Sequence, residues 1–336
     1  MDRREVITMG LAAAGAMVTL PAARAQSGDK KDSSTAPVAA KKVVPDWARP
    51  GSRYTMSIEP PVAMRTAAFD WDYDIQVALP ASYGITPDRH YPVLWLTDGP
   101  LMFHLAVGML NTLAFAGFAP EMIVVAVGCA SKDGIFEYAR RRTIDLTPPG
   151  DTILFDGPGA DYMRAHKEPD HGPQKADKFL AFLIDEARPA LAKSYRMEDD
   201  HGLMGHSGGG MFANYALFAR PGAFRRYIIG SPSSNAVNRA AFRMEAAYAA
   251  ANTDLKADIF FGAGELEIGQ RPTAAWGIVS APVLMAETLL LRDYPSLKLT
   301  TRIFPGKDHS SVIADVIGEG IRAVWADKAV KPKAAG

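Results

Sequence analysis

The chain has 336 residues, 22% charged and 48% hydrophobic, with 29 Gly, 24 Pro and one Cys. That balance excludes collagen-like, disulfide-scaffold and wholly disordered classes. Lys+Arg and Asp+Glu both number 37, so no net field favours nucleic acid or anionic lipid, and the lone Cys129 can supply neither an internal disulfide nor a Cys-rich metal site.

The first predicted segment is residues 1–25. Arg3 and Arg4 precede a charge-free stretch from Val6 to Ala23, and Pro21 followed by Ala23-Arg24-Ala25 resembles a small-residue cleavage site. Gly10, Gly15, Thr8, Thr19 and Pro21 leave the stretch less apolar than a membrane span requires. Paired arginines before a mild hydrophobic core are the pattern of a twin-arginine export signal. The expectation is a periplasmic or secreted protein, soluble and with no stable membrane insertion once the signal is removed. Residues 26–51 are mainly Ser, Ala, Lys, Pro and Asp. Such a segment cannot offset its own ordering entropy and is expected to be a disordered linker.

From residue 52 to 327 strand and helix patterns alternate. Residues 54–59 and 71–79 read as strands, the second with Trp71, Tyr73, Ile75, Val77 and Leu79 at period two. The unbroken apolar runs 91–97 and 122–127 suit strands covered on both faces, and 101–115 between them is apolar at helical spacing. Later strands are expected at 203–204, 227–229, 259–261 and 297–304, with helices at 178–192, 209–219, 238–250, 282–291 and 312–325. There is no internal repeat. This order predicts one α/β domain with a mostly parallel central sheet and helices on both faces. Residues 150–173, rich in Gly, Pro, Asp and His, read as an insertion of the kind that forms binding loops or lids, and 328–336 as a tail.

Gly205-His206-Ser207-Gly208-Gly209 fits G-x-S-x-G, with apolar 201–204 before it and a helical pattern from Met211 after it. A turn this sharp between strand and helix projects Ser207 alone above the sheet, at a helix N-terminus that favours developing negative charge. A serine hydroxyl needs a base, and the base an orienting acid. Of seven histidines only His309, in Pro305-Gly306-Lys307-Asp308-His309-Ser310, follows a strand that comes after Ser207. His206 is adjacent to Ser207, so its side chain is expected to point away as a structural group. His166 and His171, with Glu168 and Asp170, match no strong ligand spacing; neither a metal nor an organic cofactor is implied.

Acid candidates follow residues 259–261, at Glu267 and Glu265. Gly262-x-Gly264 lacks the third glycine of a dinucleotide fingerprint, because position 267 is Glu. For the oxyanion, Gly208 N–H is one expected donor. Pro100 has no N–H, so the second is Gly99 or Leu101. Arg140-Arg141-Arg142 reads either as a substrate-anion site centred on Arg142 or as a solvated face with Arg142 paired to Asp145. Trp276 suits a pocket wall or the core equally. Cys129 ends an apolar strand and is expected to be a buried, inert thiol.

Several segments in this order resemble the Putative esterase branch of the α/β hydrolases, which includes esterase D, feruloyl esterases, trilactone siderophore esterases and mycolyltransferases. The resemblance runs from about 52 to 327. It is carried by Tyr91-Pro92-Val93-Leu94-Trp95-Leu96-Thr97-Asp98-Gly99, Arg142-Thr143-Ile144-Asp145-Leu146-Thr147-Pro148, Ala176-Asp177-Lys178-Phe179-Leu180, residues 205–210, Ala219-Arg220-Pro221, Gly230-Ser231-Pro232-Ser233, Gly264-Glu265-Leu266-Glu267 and residues 306–311. It implies an α/β-hydrolase fold with Ser207 as nucleophile, His309 as base and Glu267 as acid, Glu265 being second. The implied activity is cleavage of a small-molecule carboxylic ester through an acyl-enzyme, by a siderophore-esterase-like or general carboxylesterase. Acyl transfer uses the same nucleophile and oxyanion donors and is the alternative enzyme reading. A silent binding protein on this fold is the alternative outside catalysis; such a relative is expected to have lost the Ser or the His, and this chain keeps both.

Overall fold

Successive residues of the central strands face two different cores, and that alternation organises the fold. The computed structural model describes residues 51, 53–150, 156–166 and 171–330. The expected export signal at 1–25, residues 26–50 of the expected linker and residues 331–336 of the tail lie outside the described residues. So do 151–155 and 167–170 of the insertion, including Glu168 and Asp170.

The strands are β1 (Ser57–Ile58), β2 (Val62–Arg65), β3 (Asp72–Leu79), β4 (Tyr91–Leu96), β5 (Ile123–Gly128), β6 (Met197–His206), β7 (Arg226–Gly230), β8 (Asp258–Gly264) and β9 (Lys298–Phe304). They form one sheet in the order β1-β3-β5-β4-β6-β7-β8-β9, with β2 beside β3. β3 runs antiparallel to β1, β2 and β5, and from β5 to β9 every pairing is parallel. Val93, Trp95, Val125 and Ile229 face a core closed by Phe179, Phe182 and Phe212. Leu94, Leu96, Val124 and Ile228 face the other, closed by Phe103, Val316 and Trp325. Burial on both faces is why these strands read as unbroken apolar runs.

The helices are α1 (Gly99–Phe115), α2 (Ile135–Leu146), α3 (Pro158–Ala165), α4 (Ala176–Ala181), α5 (Arg188–Ala192), α6 (Gly208–Ala219), α7 (Ala236–Ala251), α8 (Arg271–Ala275), α9 (Ser280–Leu291) and α10 (Ile313–Val324). A π-helical turn, Phe182–Ala187, joins α4 to α5. Several elements depart from the sequence expectation, the short β2 and α8 among them. β6 begins at Met197, because the acidic run Glu198-Asp199-Asp200 is matched by basic partners: Asp200 Oδ1 lies 2.7 Å from Arg226 Nε, and Glu198 Oε2 2.5 Å from Lys328 Nζ. α2 contains the arginine run that hid it, and Glu137 neutralises Arg140 and Arg141 at 2.7 and 2.6 Å along the helix. α3 lies inside the expected insertion.

In a parallel sheet the strand ends that point the same way gather their following loops at one edge, where ligands bind. Here those loops follow β4, β6, β7, β8 and β9, and they carry Asp98, Ser207, Ser231, Glu267 and His309 respectively.

Candidate active site

β6 ends at His206 and α6 begins at Gly208, so the chain reverses at Ser207, with φ 59° and ψ −119°. A positive φ at a residue with a Cβ costs about 1–3 kcal/mol, and the surroundings impose it. Ser207 N–H donates to Gly230 O at 2.9 Å, and Ser207 O accepts from Met211 N–H at 2.9 Å. Strand and helix pass so closely that a Cβ on Gly205 would lie 2.0 Å from Gly209 O, and one on Gly209 would lie 2.3 Å from Thr97 Oγ1. Ser207 itself is half-buried, and its hydroxyl has no hydrogen-bond partner among the described residues.

The loop between β9 and α10 is tied to the 3₁₀ turn Glu265–Gly269 that follows β8. Leu266 N–H donates to Lys307 O at 2.9 Å, and Gly306 N–H donates to Glu265 Oε2 at 2.8 Å. His309, on this loop, meets His206. His206 Nε2 lies 2.8 Å from His309 O, and a carbonyl only accepts, so Nε2 carries the proton. The two rings are 4.7 Å apart. Burial first, and then the neighbouring His309, holds the His206 imidazole down to about 4. His206 is therefore a neutral prop under the His309 backbone.

His309 Nδ1 faces Glu267 Oε2 at 3.5 Å, and Glu267 is wholly buried. The other Glu267 oxygen accepts from Ser231 Oγ at 2.8 Å and from Gly264 N–H at 3.1 Å. Glu265 is exposed and engaged with Gly306 rather than with His309. No hydrogen bond joins Ser207 Oγ to His309 among the described residues. His309 instead touches His206, the residue that precedes Ser207 in the chain.

Beside the elbow, Asp98 adopts the left-handed conformation with φ 55° and ψ 41° at the start of α1. Its carboxylate accepts a bidentate pair from Arg142, Nε at 2.7 Å and Nη2 at 3.0 Å, together with Tyr138 OH at 2.9 Å. Arg142 Nη2 also donates to His206 O at 3.2 Å. A Cβ on Gly208 would lie 2.8 Å from Arg142 Nη1, so the guanidinium lies against the first peptide of α6. This corrects the expected pairing of Arg142 with Asp145. Asp145 instead accepts from Tyr73 OH at 2.9 Å inside the core, the Arg142 guanidinium being taken up by Asp98. Of the two expected second oxyanion donors, Leu101 N–H is committed to Asp98 O at 3.0 Å, whereas Gly99 is the first residue of α1 and buried beside Val127.

Trp276 is half-buried against Met211, Ala236, Val237 and Ala240, next to the first turns of α6. His166 stacks on Tyr162 with ring centroids 4.0 Å apart. Cys129 is buried, and burial pushes its thiol up. Sequence reasoning missed Asp98, Tyr138 and Ser231 as parts of this site. Asp98 had a signal, since an acid directly before the Gly-Pro that opens a helix invites a partner. Ser231 had none beyond its place at a strand end.

The Putative esterase family model matches residues 66–285. The chain is similar to the siderophore enterobactin esterase of Emericella nidulans, 32% identical over 190 residues that cover 52% of this chain and 60% of the relative. It is also similar to the siderophore triacetylfusarinine C esterase of Aspergillus fumigatus, 34% identical over 145 residues that cover 42% of this chain and 44% of the relative. The aligned stretch thus spans about half the length of these curated relatives. Among solved structures, the siderophore hydrolase EstB from Aspergillus nidulans superposes with a TM-score of 0.67 at 25% identity, over 81% of this chain and 96% of that one. The fold is the α/β-hydrolase fold.

Proposed function

This chain belongs to the Putative esterase family, and from that premise we propose that it is a serine esterase that hydrolyses siderophore-type carboxylic esters through an acyl-enzyme at Ser207. The observation that carries the reading is the strained Ser207 elbow, whose neighbour His206 bonds the backbone of a His309 that faces buried Glu267. In this reading His309 accepts the Ser207 proton as Oγ attacks the ester carbonyl. Buried Glu267 stabilises the imidazolium that results, and His309 then returns the proton to the leaving alcohol. Gly208 N–H and Gly99 N–H receive the oxyanion, and the Arg142 guanidinium, itself paired with Asp98, braces the Gly208 peptide. Water enters by the reverse sequence and releases the acid.

Exposed Leu101, Leu266 and Ile268 sit on the same two segments as Gly99 and Glu267, and they support an ester whose body is partly apolar. The named activities of the similar proteins, on enterobactin and on triacetylfusarinine C, support a siderophore ester as the substrate class. The pattern at residues 1–25 supports twin-arginine export to the periplasm, where such an ester would be met. Replacing Arg3 and Arg4 with Lys should hold the precursor in the cytoplasm, and normal export would refute this part.

The test of the function is turnover of p-nitrophenyl acetate, feruloyl esters and trilactone siderophores by the parent and by Ser207→Ala. Loss of turnover in the variant, with an unchanged melting curve and a preference of the parent for the trilactone, is the expected result. Unchanged turnover would assign the chemistry to another nucleophile.

A further inference from the structure

Ser231 is fully buried and sits at φ 39°, a backbone conformation in which a residue with a Cβ is strained and glycine is not. It is the residue after β7, and its N–H donates to Gly262 O at 2.7 Å, which pins it across to β8. Were only the turn required, glycine would meet the requirement without strain. The hydroxyl gives the position its purpose, because Ser231 Oγ donates to Glu267 Oε1 at 2.8 Å.

Glu267 has two oxygens, and they are treated differently. Oε1 takes both nearby donors, Ser231 Oγ and Gly264 N–H at 3.1 Å. Oε2 faces His309 Nδ1 at 3.5 Å. A carboxylate is planar, so fixing one oxygen by two donors from different strand ends fixes where the other points. Removing Ser231 Oγ would leave Oε1 with one donor in a site closed to water and free the carboxylate to rotate about its last torsion.

We propose that Ser231 is a positioning residue for the acid: it orients Glu267 so that Oε2 is presented to His309, and acts on the reaction only through that carboxylate. The proposal rests on the reading of Ser207, His309 and Glu267 given above. It adds a fourth residue, drawn from the loop after β7, to a constellation otherwise supplied by the loops after β6, β8 and β9.

The experiment is a kinetic cycle of Ser231→Ala, Glu267→Gln and the double variant on p-nitrophenyl acetate, with kcat and KM measured separately and thermal unfolding followed for each. Ser231→Ala is expected to lower kcat about tenfold with KM within about twofold, the size of losing one hydrogen bond to a charged group. In the Glu267→Gln background the same change should cost less than about twofold, because the carboxylate it orients is already gone. Ser231→Gly, whose backbone accepts φ 39° without strain, should reproduce the Ala result and covers the case in which the Ala variant folds poorly. Full kcat in both Ser231 variants, or an undiminished loss in the Glu267→Gln background, overturns the proposal while leaving the esterase reading intact. Parental kcat in Glu267→Gln removes the acid assignment and the proposal with it. A parent without Ser207-dependent turnover overturns the esterase reading itself.

Discussion

The ring of His206 supports the backbone of His309: His206 Nε2 donates to the carbonyl oxygen of His309 at 2.8 Å. The residue next to the proposed nucleophile thereby sets the height of the loop that carries the proposed base. His206→Gln keeps a donor near Nε2, whereas His206→Phe fills the space without one. The Gln variant is therefore expected to retain most of kcat and the Phe variant to lose about tenfold, the cost of one buried hydrogen bond. Equal losses in steady-state assays would show that the volume at position 206 matters and the donor does not.

Glu267→Gln and Glu265→Gln are expected to differ sharply. Glu267 is wholly buried and faces His309, so loss of its charge leaves the imidazolium unsupported and should lower kcat about a hundredfold or more. Glu265 is exposed and accepts from Gly306 N–H. A glutamine oxygen can accept that bond as well, and kcat should stay within about twofold. The reverse order would reassign the acid.

Much of this arrangement was legible in the chain because it follows from local rules. The apolar runs of β4 and β5, and the serine between a strand and a helix, announce themselves by period and by the glycines at 205 and 209. What was not legible depends on partners far away in sequence. The arginine run gave no sign that Arg142 reaches back 44 residues to Asp98 while Arg140 and Arg141 stay with Glu137. The strand expected at 203–204 in fact begins at Met197, because the acidic Glu198-Asp199-Asp200 before it is met by Arg226 and Lys328. The residues by themselves left Glu267 and Glu265 both open, with only the resemblance ranking Glu267 first, and the 3₁₀ turn places Glu267 inward and Glu265 at the surface.

Arg142 tests whether the pair with Asp98 matters to folding as well as to turnover. The Asp98 side chain is 2% exposed and that of Arg142 26% exposed. Arg142→Ala therefore strands a buried carboxylate, which typically costs about 3–5 kcal/mol. Arg142→Lys keeps the charge but cannot form the two-pronged bond, so it should fold better than the Ala variant and still lose about tenfold or more in kcat/KM. Urea unfolding separates the two effects. An Ala variant as stable as the parent would mean that Tyr138 alone satisfies Asp98.

Asp145 gives the fold a pH dependence of its own. Burial raises its carboxyl to about 7, against which the hydrogen bond from Tyr73 and the charges of Arg141, Arg140 and Lys175 work. The folded state therefore holds a proton that the unfolded chain, with an ordinary aspartate near 4, releases earlier. Between about pH 4 and 7 the folded state binds the extra proton, so this group's contribution to stability is fully present at the acid end of the window and declines as pH rises through 7. Asp145→Asn keeps an acceptor for Tyr73 OH and removes the ionisation. Its unfolding free energy from urea titrations should gain on the parent's from about pH 4 to pH 7 and level off above that. Curves that stay parallel across that range would place the Asp145 carboxyl at its ordinary value despite its burial.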